Sequence, residues 1–418
     1  MMVRASGVSR VLACLAVVGA AFAAVPIAQA QPAARAPSGA PIKIGLIAEL
    51  TGALSFYGIE TNRTAALLVS QINASGGLLG RPVELLVRDS KTTVTDAVRH
   101  ARDLLLTENV DFLLHSISSG ECIAVGNAAK QAKKILLSNC ANDDFTGKDG
   151  NEYVFRLPNI TTRTQGYAAA EYAFANFKSR GNRYYTIASD FAFGRLATAA
   201  FKERMLALNP QVQFIGEAWP KINQDSYTSF ITALIEAKPD VVFFAWGIGI
   251  PFWQQSGPYE LPKKFAMVSS YWGGADELQV LAKESVPVGA VLGGFPWYAI
   301  NNPANTAFVD MYRKAHSKPP ATPSYFQHVT MQALRLAVEK AKTIETQAVI
   351  KALEGLQFES VVGPVSIRPF EHQGTTPHWT GKAAWDESRK IGVLSEIIQL
   401  PTDRFLRSEQ EIRKLRPK

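Results

Sequence analysis

From Pro41 onward, short apolar runs alternate with amphipathic stretches, and the two kinds of segment have different periods. IKIGLIAEL (Ile42 to Leu50), Pro82 to Asp89, Val110 to His115 and Ile135 to Asn139 are nearly continuous aliphatic runs, as expected of strands covered on both faces. Between the first two, Thr61, Ala65, Leu68, Val69 and Ile72 fall on one helical face that Ser75-Gly76-Gly77 closes. Val94, Ala97, Val98, Ala101, Leu104 and Leu105 make a second stripe, and a third helix is expected from about Gly120 to Lys133. Strand and helix in strict alternation predict a parallel sheet with crossover helices.

A second set of the same units follows Glu152 to Asn159. Tyr184 to Ser189 reads as a strand, Ala197, Phe201, Met205 and Leu208 mark a helix, and VQFIGEAW is the next strand. Phe230, Ala233, Leu234 and Ala237 mark another helix before VVFFAW. The chain then returns through GAVLGGF, helices at about 303 to 316, 324 to 342 and 346 to 355, and the strand Val361 to Ile367. The tail from Thr402 mixes six basic residues with acids and reads as a frayed, solvated helix.

Length and composition narrow the class. A chain of 418 residues with 47% hydrophobic and 19% charged residues has the apolar content of a folded protein and the length of two domains. Its net charge of +8 is spread among acids, so no basic stripe marks a nucleic-acid partner. With six histidines, three cysteines, no CxxC and no HExxH, the sequence calls for no metal and no cofactor. No G-x-S-x-G elbow, GxxxxGK[ST] loop or His–Cys pairing suggests an enzyme.

Arg4 and Arg10 precede the apolar run Val11 to Ala24, which Pro26 and Ala28-Gln29-Ala30 follow. This is the pattern of a secretory signal peptide, residues 1–30, cleaved after Ala30 and followed by a Pro/Ala linker over 31–40. Loss of two arginines and no acid takes the net charge from +8 to +6. Export places Cys122 and Cys140 in an oxidising compartment, where a disulfide and two separate buried thiols are both compatible with the sequence.

In open α/β sheets ligands lie beyond the carboxyl ends of the strands. There the chain places Thr51 to Gly58, then His115-Ser116-Ile117-Ser118-Ser119-Gly120, then Ser138-Asn139-Cys140-Ala141. Hydroxyls and free backbone N–H groups at a helix start suit a carboxylate, so Ser118 and Ser119 are expected at an N-cap that receives one. His115 reads as a strand residue satisfied by its neighbours.

Taken together, IKIGLIAELTGALSFYG, INASGGLLGRPVELLVRDS, SSG, FR with Gln165-Gly166 downstream, SDFAFGR, AKPDVVFF and VGP at 362–364 resemble the periplasmic leucine/isoleucine/valine-binding family. Those proteins are the solute receptors of branched-chain amino acid ABC transporters. The resemblance implies an α/β type I solute-binding fold, with two doubly wound three-layer α/β/α lobes joined by three crossover segments. It implies lobe 1 over 41–160 and 290–360, lobe 2 over 161–289 and 361–401, and a C-terminal tail over 402–418. It further implies a monomer in the periplasm that captures a small carboxylate solute and delivers it to a membrane permease, with a ligand-sensing module for a receptor or regulator on the same fold as the alternative.

Residue by residue, the resemblance implies that Ser118, Ser119 and the loop Asn139, Cys140, Ala141 hold the carboxylate. Tyr57 matches an aromatic cover from the first lobe, and Phe193 one from the second. Where family members present acids to an ammonium group, this chain has Thr162, beside Arg163, and Ile250. Burying an ammonium without a counter-charge costs several kcal/mol, so a non-amino aromatic or apolar acid is favoured over an α-amino acid. Trp246-Gly247 after VVFF, Trp272 and Trp297 are expected as flat walls for it.

Overall fold

The computed structural model describes residues 36–222, 224–246, 249–270, 274–400 and 402–416. The signal-peptide assignment and the first half of the linker, together with Gly247 and Trp272, lie outside the described residues.

The fully apolar runs become the centres of two sheets. The first is five-stranded and parallel, in the order β2-β1-β3-β4-β5, with β1 Ile42–Ala48, β2 Val83–Asp89, β3 Phe112–His115, β4 Ile135–Ser138 and β5 Val154–Phe155. Ile42, Ile44, Leu46 and Ile47 of β1 are buried because helices cover both faces of that sheet. Helix α1 (Ser55–Ala74) packs against helix Thr322–Ala341 on one side, while α2 (Val94–Arg102) and α3 (Cys122–Ala132) pack together on the other. Gly58 of α1 lies so near the backbone of Glu49 that an added Cβ would stand 2.2 Å from its carbonyl oxygen. Only a glycine lets the helix start this close to the end of β1.

The second sheet has seven strands, in the order β15-β14-β10-β9-β8-β6-β7. Its parallel part comprises β6 Arg183–Ala188, β7 Gln213–Ala218, β8 Val241–Ala245, β9 Ala266–Ser269 and β10 Val291–Gly294. A small antiparallel sheet of β11 Gln357–Ser360, β12 Gly363–Ile367 and β13 Gly374–Thr375 sits apart. The long hairpin of β14 His378–Asp386 and β15 Ile391–Leu400 then joins β10 antiparallel. Helices α4 (Thr162–Phe177) and α5 (Ala192–Leu208) pack along one another on this lobe.

The chain passes between the sheets after β5, after β10 and after β13, which gives two α/β lobes with three crossings. Two segments differ from the lobe division read in the sequence. Val291–Gly294 pairs with β9 and β14 in the second sheet, and Gly363–Ile367 pairs with Gln357–Ser360 and not with that sheet. An apolar run reveals a strand but not its partner.

The tail also differs from expectation. A short turn (Thr402–Phe405) and a helix (Glu409–Leu415) lie docked on the protein, with Phe405 and Ile412 buried. The Phe405 ring meets Tyr167 at 6.0 Å, and Arg416 donates to the carbonyls of Thr146, Gly147 and Phe370. Two apolar anchors among many charges set the position of this segment, and a charge count misses them.

Cys122 and Cys140 are joined in a disulfide, with Cα atoms 6.3 Å apart. The loop it closes spans 18 positions, so chain entropy alone gives about 3 kcal/mol. The Cys122→Ser/Cys140→Ser protein is expected to lose roughly 2–4 kcal/mol in urea unfolding; a loss below about 0.5 kcal/mol would show that the bridge adds nothing to the folded state.

Candidate functional site

The carboxyl ends of β1, β3 and β4 carry the first half of the site. Ser118 and Ser119 are buried in the loop after β3, but they do not cap a helix through their side chains. Helix α3 starts at Cys122, and it is the Ser118 carbonyl that accepts from the N–H groups of Glu121 (3.1 Å) and Cys122 (3.2 Å). The N–H of Ser118 is itself taken: it donates to Glu49 Oε1 at 2.9 Å, as Ile117 N–H does at 3.3 Å. A carboxylate of the chain therefore occupies backbone donors that the sequence reading left for a solute.

The loop after β4 is held on every side. Asn139 Nδ2 donates to Gln327 and its Oδ1 accepts from Thr330, so helix Thr322–Ala341 takes up the Asn139 side chain. Cys140 is tied to Cys122, and the Ala141 carbonyl accepts from Thr162 N–H at 2.9 Å. Asn142 Nδ2 donates to the Ser119 carbonyl at 3.1 Å, which joins the two loops. The buried guanidinium of Arg156, in the FR of the first crossing, donates to the carbonyls of Cys140 and Asn142, to Thr146 Oγ1 and to Gln373 Oε1.

Thr162 closes the first crossing with a short bond from its hydroxyl to Asp143. Arg163 faces elsewhere: its Nε donates to the Phe405 carbonyl, its guanidinium lies 4.4 Å over the Tyr167 ring, and it pairs loosely with Glu411. One residue along a helix turns a side chain by about 100°, enough to send Thr162 and Arg163 to different surfaces.

The ends of β8 and β9, in the second sheet, carry the other candidate residues. Trp246 is buried against Tyr227 (5.8 Å) and Phe252 (4.8 Å), and Phe193 lies buried in the first turn of α5 beside Phe191. Trp297 belongs to the second crossing, under Arg313 at 4.4 Å and donating to Gln279, and forms no part of this wall. A water-sized cavity is lined by Phe244, Trp246, Trp253, Ser269, Ser270, Gly274 and Glu277. Trp246 Nε1, Ser269 Oγ and Ser270 Oγ are buried without a protein partner. Unpaired buried groups of this kind cost about 1–3 kcal/mol each, so they mark a place where water or a solute completes the bonding.

At Thr162 and Ile250 the sequence offers no acid for a cationic solute group, and the structure corrects the premise that none exists. Asp276 and Glu277, both buried, stand in the short helix Gly274–Leu278 after β9. Asp276 accepts from Thr322 N–H at 2.9 Å, and Glu277 accepts from Gly249 N–H at 2.7 Å. Burial pushes their carboxyl groups up to about 7 and about 8. Tyr57 of the first lobe is buried as well, and its phenol is raised first by burial and then by the charges of Glu277 and Asp276. The aromatic of one lobe and the acid pair of the other thus share one region. The Asp-Glu pair after a short strand was a signal in the sequence, missed because the loop 270–275 offers no periodic landmark.

A family model for periplasmic binding proteins matches residues 41–388. A Leu/Ile/Val-binding protein homolog 7 of Brucella abortus (strain 2308) is 27% identical over 345 residues, covering 78% of this chain and 84% of its own. An amino acid ABC transporter substrate-binding protein from Pseudomonas fluorescens Pf-5 superposes with a TM-score of 0.78 at 20% identity, over 90% of this chain and 99% of the other. A solute-binding protein from Rhodopseudomonas palustris BisB5, in complex with 3,4-dihydroxy benzoic acid, superposes with a TM-score of 0.75 at 20% identity, over 86% and 97%.

The two raised carboxyl groups make a pH prediction. Between about pH 5 and 8 the folded state holds protons that the unfolded state has released, so stability falls as pH rises. The expected loss is on the order of a few kcal/mol across that window, and Glu277→Gln should remove a large part of it. A pH series of thermal midpoints with the same slope in both proteins would show that Glu277 is not held neutral.

Proposed function

Because the chain belongs to the periplasmic binding protein family, we propose that it is the exported solute receptor of an ABC transporter, capturing a small carboxylate-bearing solute between its lobes and handing it to the membrane permease. Its work is binding and closure rather than turnover, and the solute is expected back unchanged after prolonged incubation. In this reading residues 1–30 are the cleaved signal peptide, so the exported protein has the intact mass of a chain beginning at Gln31.

The observation that carries the reading is the pairing of two unlike half-sites. Serine and backbone groups of the loops 116–121 and 139–142 lie at strand ends of the first sheet, an aromatic wall with unpaired indole and hydroxyl groups lies at strand ends of the second, and in this reading the two face one another across the crossings. A solute that touches both halves is bound more tightly by the closed form than the open one, and that difference in affinity is what drives closure. In this reading the Ser118 and Ser119 hydroxyls and the loop Asn139 to Ala141 take the carboxylate, and Tyr57, Phe193 and Trp246 enclose the body of the solute.

The preferred solute is a non-amino aromatic or apolar acid. Trp246 and Phe193 offer flat faces, and Glu277, held neutral by burial, can donate a proton to a phenolic or carbonyl oxygen. The 3,4-dihydroxy benzoic acid held by the Rhodopseudomonas palustris protein is a solute of this kind. One observation supports the second reading, an α-amino acid: Asp276 and Glu277 could ionise to meet an ammonium group, and the Brucella relative is named for leucine, isoleucine and valine.

A thermal-shift series on the mature protein separates them, using an α-amino acid and the same acid without its amino group, aliphatic and aromatic. Only the deaminated acids are expected to raise the midpoint. Equal or larger shifts with the amino acids would overturn the preference and assign the ammonium to the acid pair. No shift with any carboxylate would contradict the receptor reading.

A further inference from the structure

Beneath the loop that carries Ser118 and Ser119 lies a group of side chains to which solute capture assigns no task. Glu49 at the end of β1, His115 at the end of β3 and Glu121 before α3 bring one ligand atom each within 4.8 Å of one another, and all three are fully buried. His115 Nε2 stands 3.3 Å from Glu121 Oε2 and 4.0 Å from Glu49 Oε1. The other ring nitrogen, Nδ1, is fixed by Ser138 Oγ at 2.9 Å. The second oxygen of each carboxylate, Glu49 Oε2 and Glu121 Oε1, is buried with no hydrogen-bond partner.

Charge and geometry agree on what is missing. Among the described residues no lysine or arginine pairs with either glutamate, so two carboxylates share one imidazole in a dry setting. One divalent ion with two carboxylates and a neutral imidazole is electrically neutral, whereas the bare cluster must take up protons to avoid a large desolvation cost. Ligand atoms around a tetrahedral ion bound at 2.0–2.2 Å lie about 3.3–3.6 Å apart; the His115–Glu121 spacing matches this and is long for a charged hydrogen bond, and Glu49 Oε1, 4.0 Å from the ring nitrogen, would close in on the ion. A hydrogen bond at the far nitrogen, here with Ser138 Oγ, fixes the ring's orientation, as outer partners do for metal-binding histidines.

We infer that Glu49, His115 and Glu121 form a binding site for one divalent first-row transition ion of the zinc class, which ties the ends of β1 and β3 to the start of α3. Glu49 also accepts the N–H groups of Ile117 and Ser118, so the ion fixes the serine loop and cancels negative charge beneath it. That consequence for an anionic solute rests on the receptor reading; the metal site itself does not. The three residues lie 66 and 6 positions apart and match no ligand motif, which hides them in the sequence.

The mature protein, stripped with a chelator and dialysed, is titrated with Co²⁺ and Zn²⁺ in the absence of solute. One equivalent of Co²⁺ is expected to bind with the visible absorption of a four- or five-coordinate site, and Zn²⁺ is expected to displace it and raise the thermal midpoint. Glu121→Gln and, separately, His115→Asn should each weaken Co²⁺ binding at least tenfold while the far-ultraviolet dichroism stays that of the folded protein. If either variant does not fold, the wild-type titration and Zn²⁺-dependent midpoint decide alone. The inference is overturned by wild-type protein that takes up no stoichiometric ion, or by folded variants that bind as well as wild type, which would leave a proton-sharing cluster. Solute thermal shifts on the stripped and loaded forms report the receptor reading separately.

Discussion

The arrangement turns on a buried cation. Arg156 sits in the first crossing with its guanidinium enclosed, and it survives there because every direction of the fork meets an acceptor: the carbonyls of Cys140 and Asn142, Thr146 Oγ1 and Gln373 Oε1. Two of those partners shape the loop after β4, and Gln373, bridged to Arg156, immediately precedes β13 and the third crossing. Removing one partner of such a buried charge costs about 3–5 kcal/mol, so the loop and the crossings are not independent parts. The disulfide to Cys122 and the bond from Asn142 to the Ser119 carbonyl extend the same framework to the neighbouring loop.

Around that framework the two half-sites solve opposite electrostatic problems. The first lobe offers hydroxyls and backbone dipoles, yet it also buries Glu49 and Glu121 beneath them, and burial followed by the charge of Glu121 raises the Glu49 carboxyl. The second lobe buries Asp276 and Glu277, and burial holds Glu277 largely neutral near pH 7 and Asp276 close to half protonated. An anionic end of a solute belongs with the first lobe's hydroxyls, and a neutral carboxyl in the second can donate to an uncharged oxygen of its body. The chemistry of the cleft therefore depends on where its own protons sit as much as on which side chains line it.

The fold was readable from the sequence because strands sandwiched between helix layers must be apolar throughout. The runs at Ile42, Ile135 and Val241 announce themselves, and Ser75-Gly76-Gly77 ends α1 by a backbone need that only glycine meets. The hairpin Ile391–Leu400 with His378–Asp386 was not announced, since several of its residues face solvent and the run alternates with charge. Of the candidate site, the loops 116–120 and 139–141 are proposed from their place after strands, and Trp246 from its place after VVFF. The roles of Glu49, Glu121 and Glu277 could not be read that way, because a buried acid looks like a surface acid until its neighbours are known. Arg163 shows the converse: a cation next to a site residue in sequence, facing the docked tail in space.

The most direct test of solute capture between the lobes is a crystal structure of the mature protein with whichever acid stabilises it most. The carboxylate is expected against Ser118, Ser119 and the 139–141 backbone, with the body of the solute against Trp246 and a polar group beside Ser269, Ser270 or Glu277. Density for the solute on the outer surface of one lobe, or with the carboxylate turned toward Glu277, would contradict solute capture of this kind.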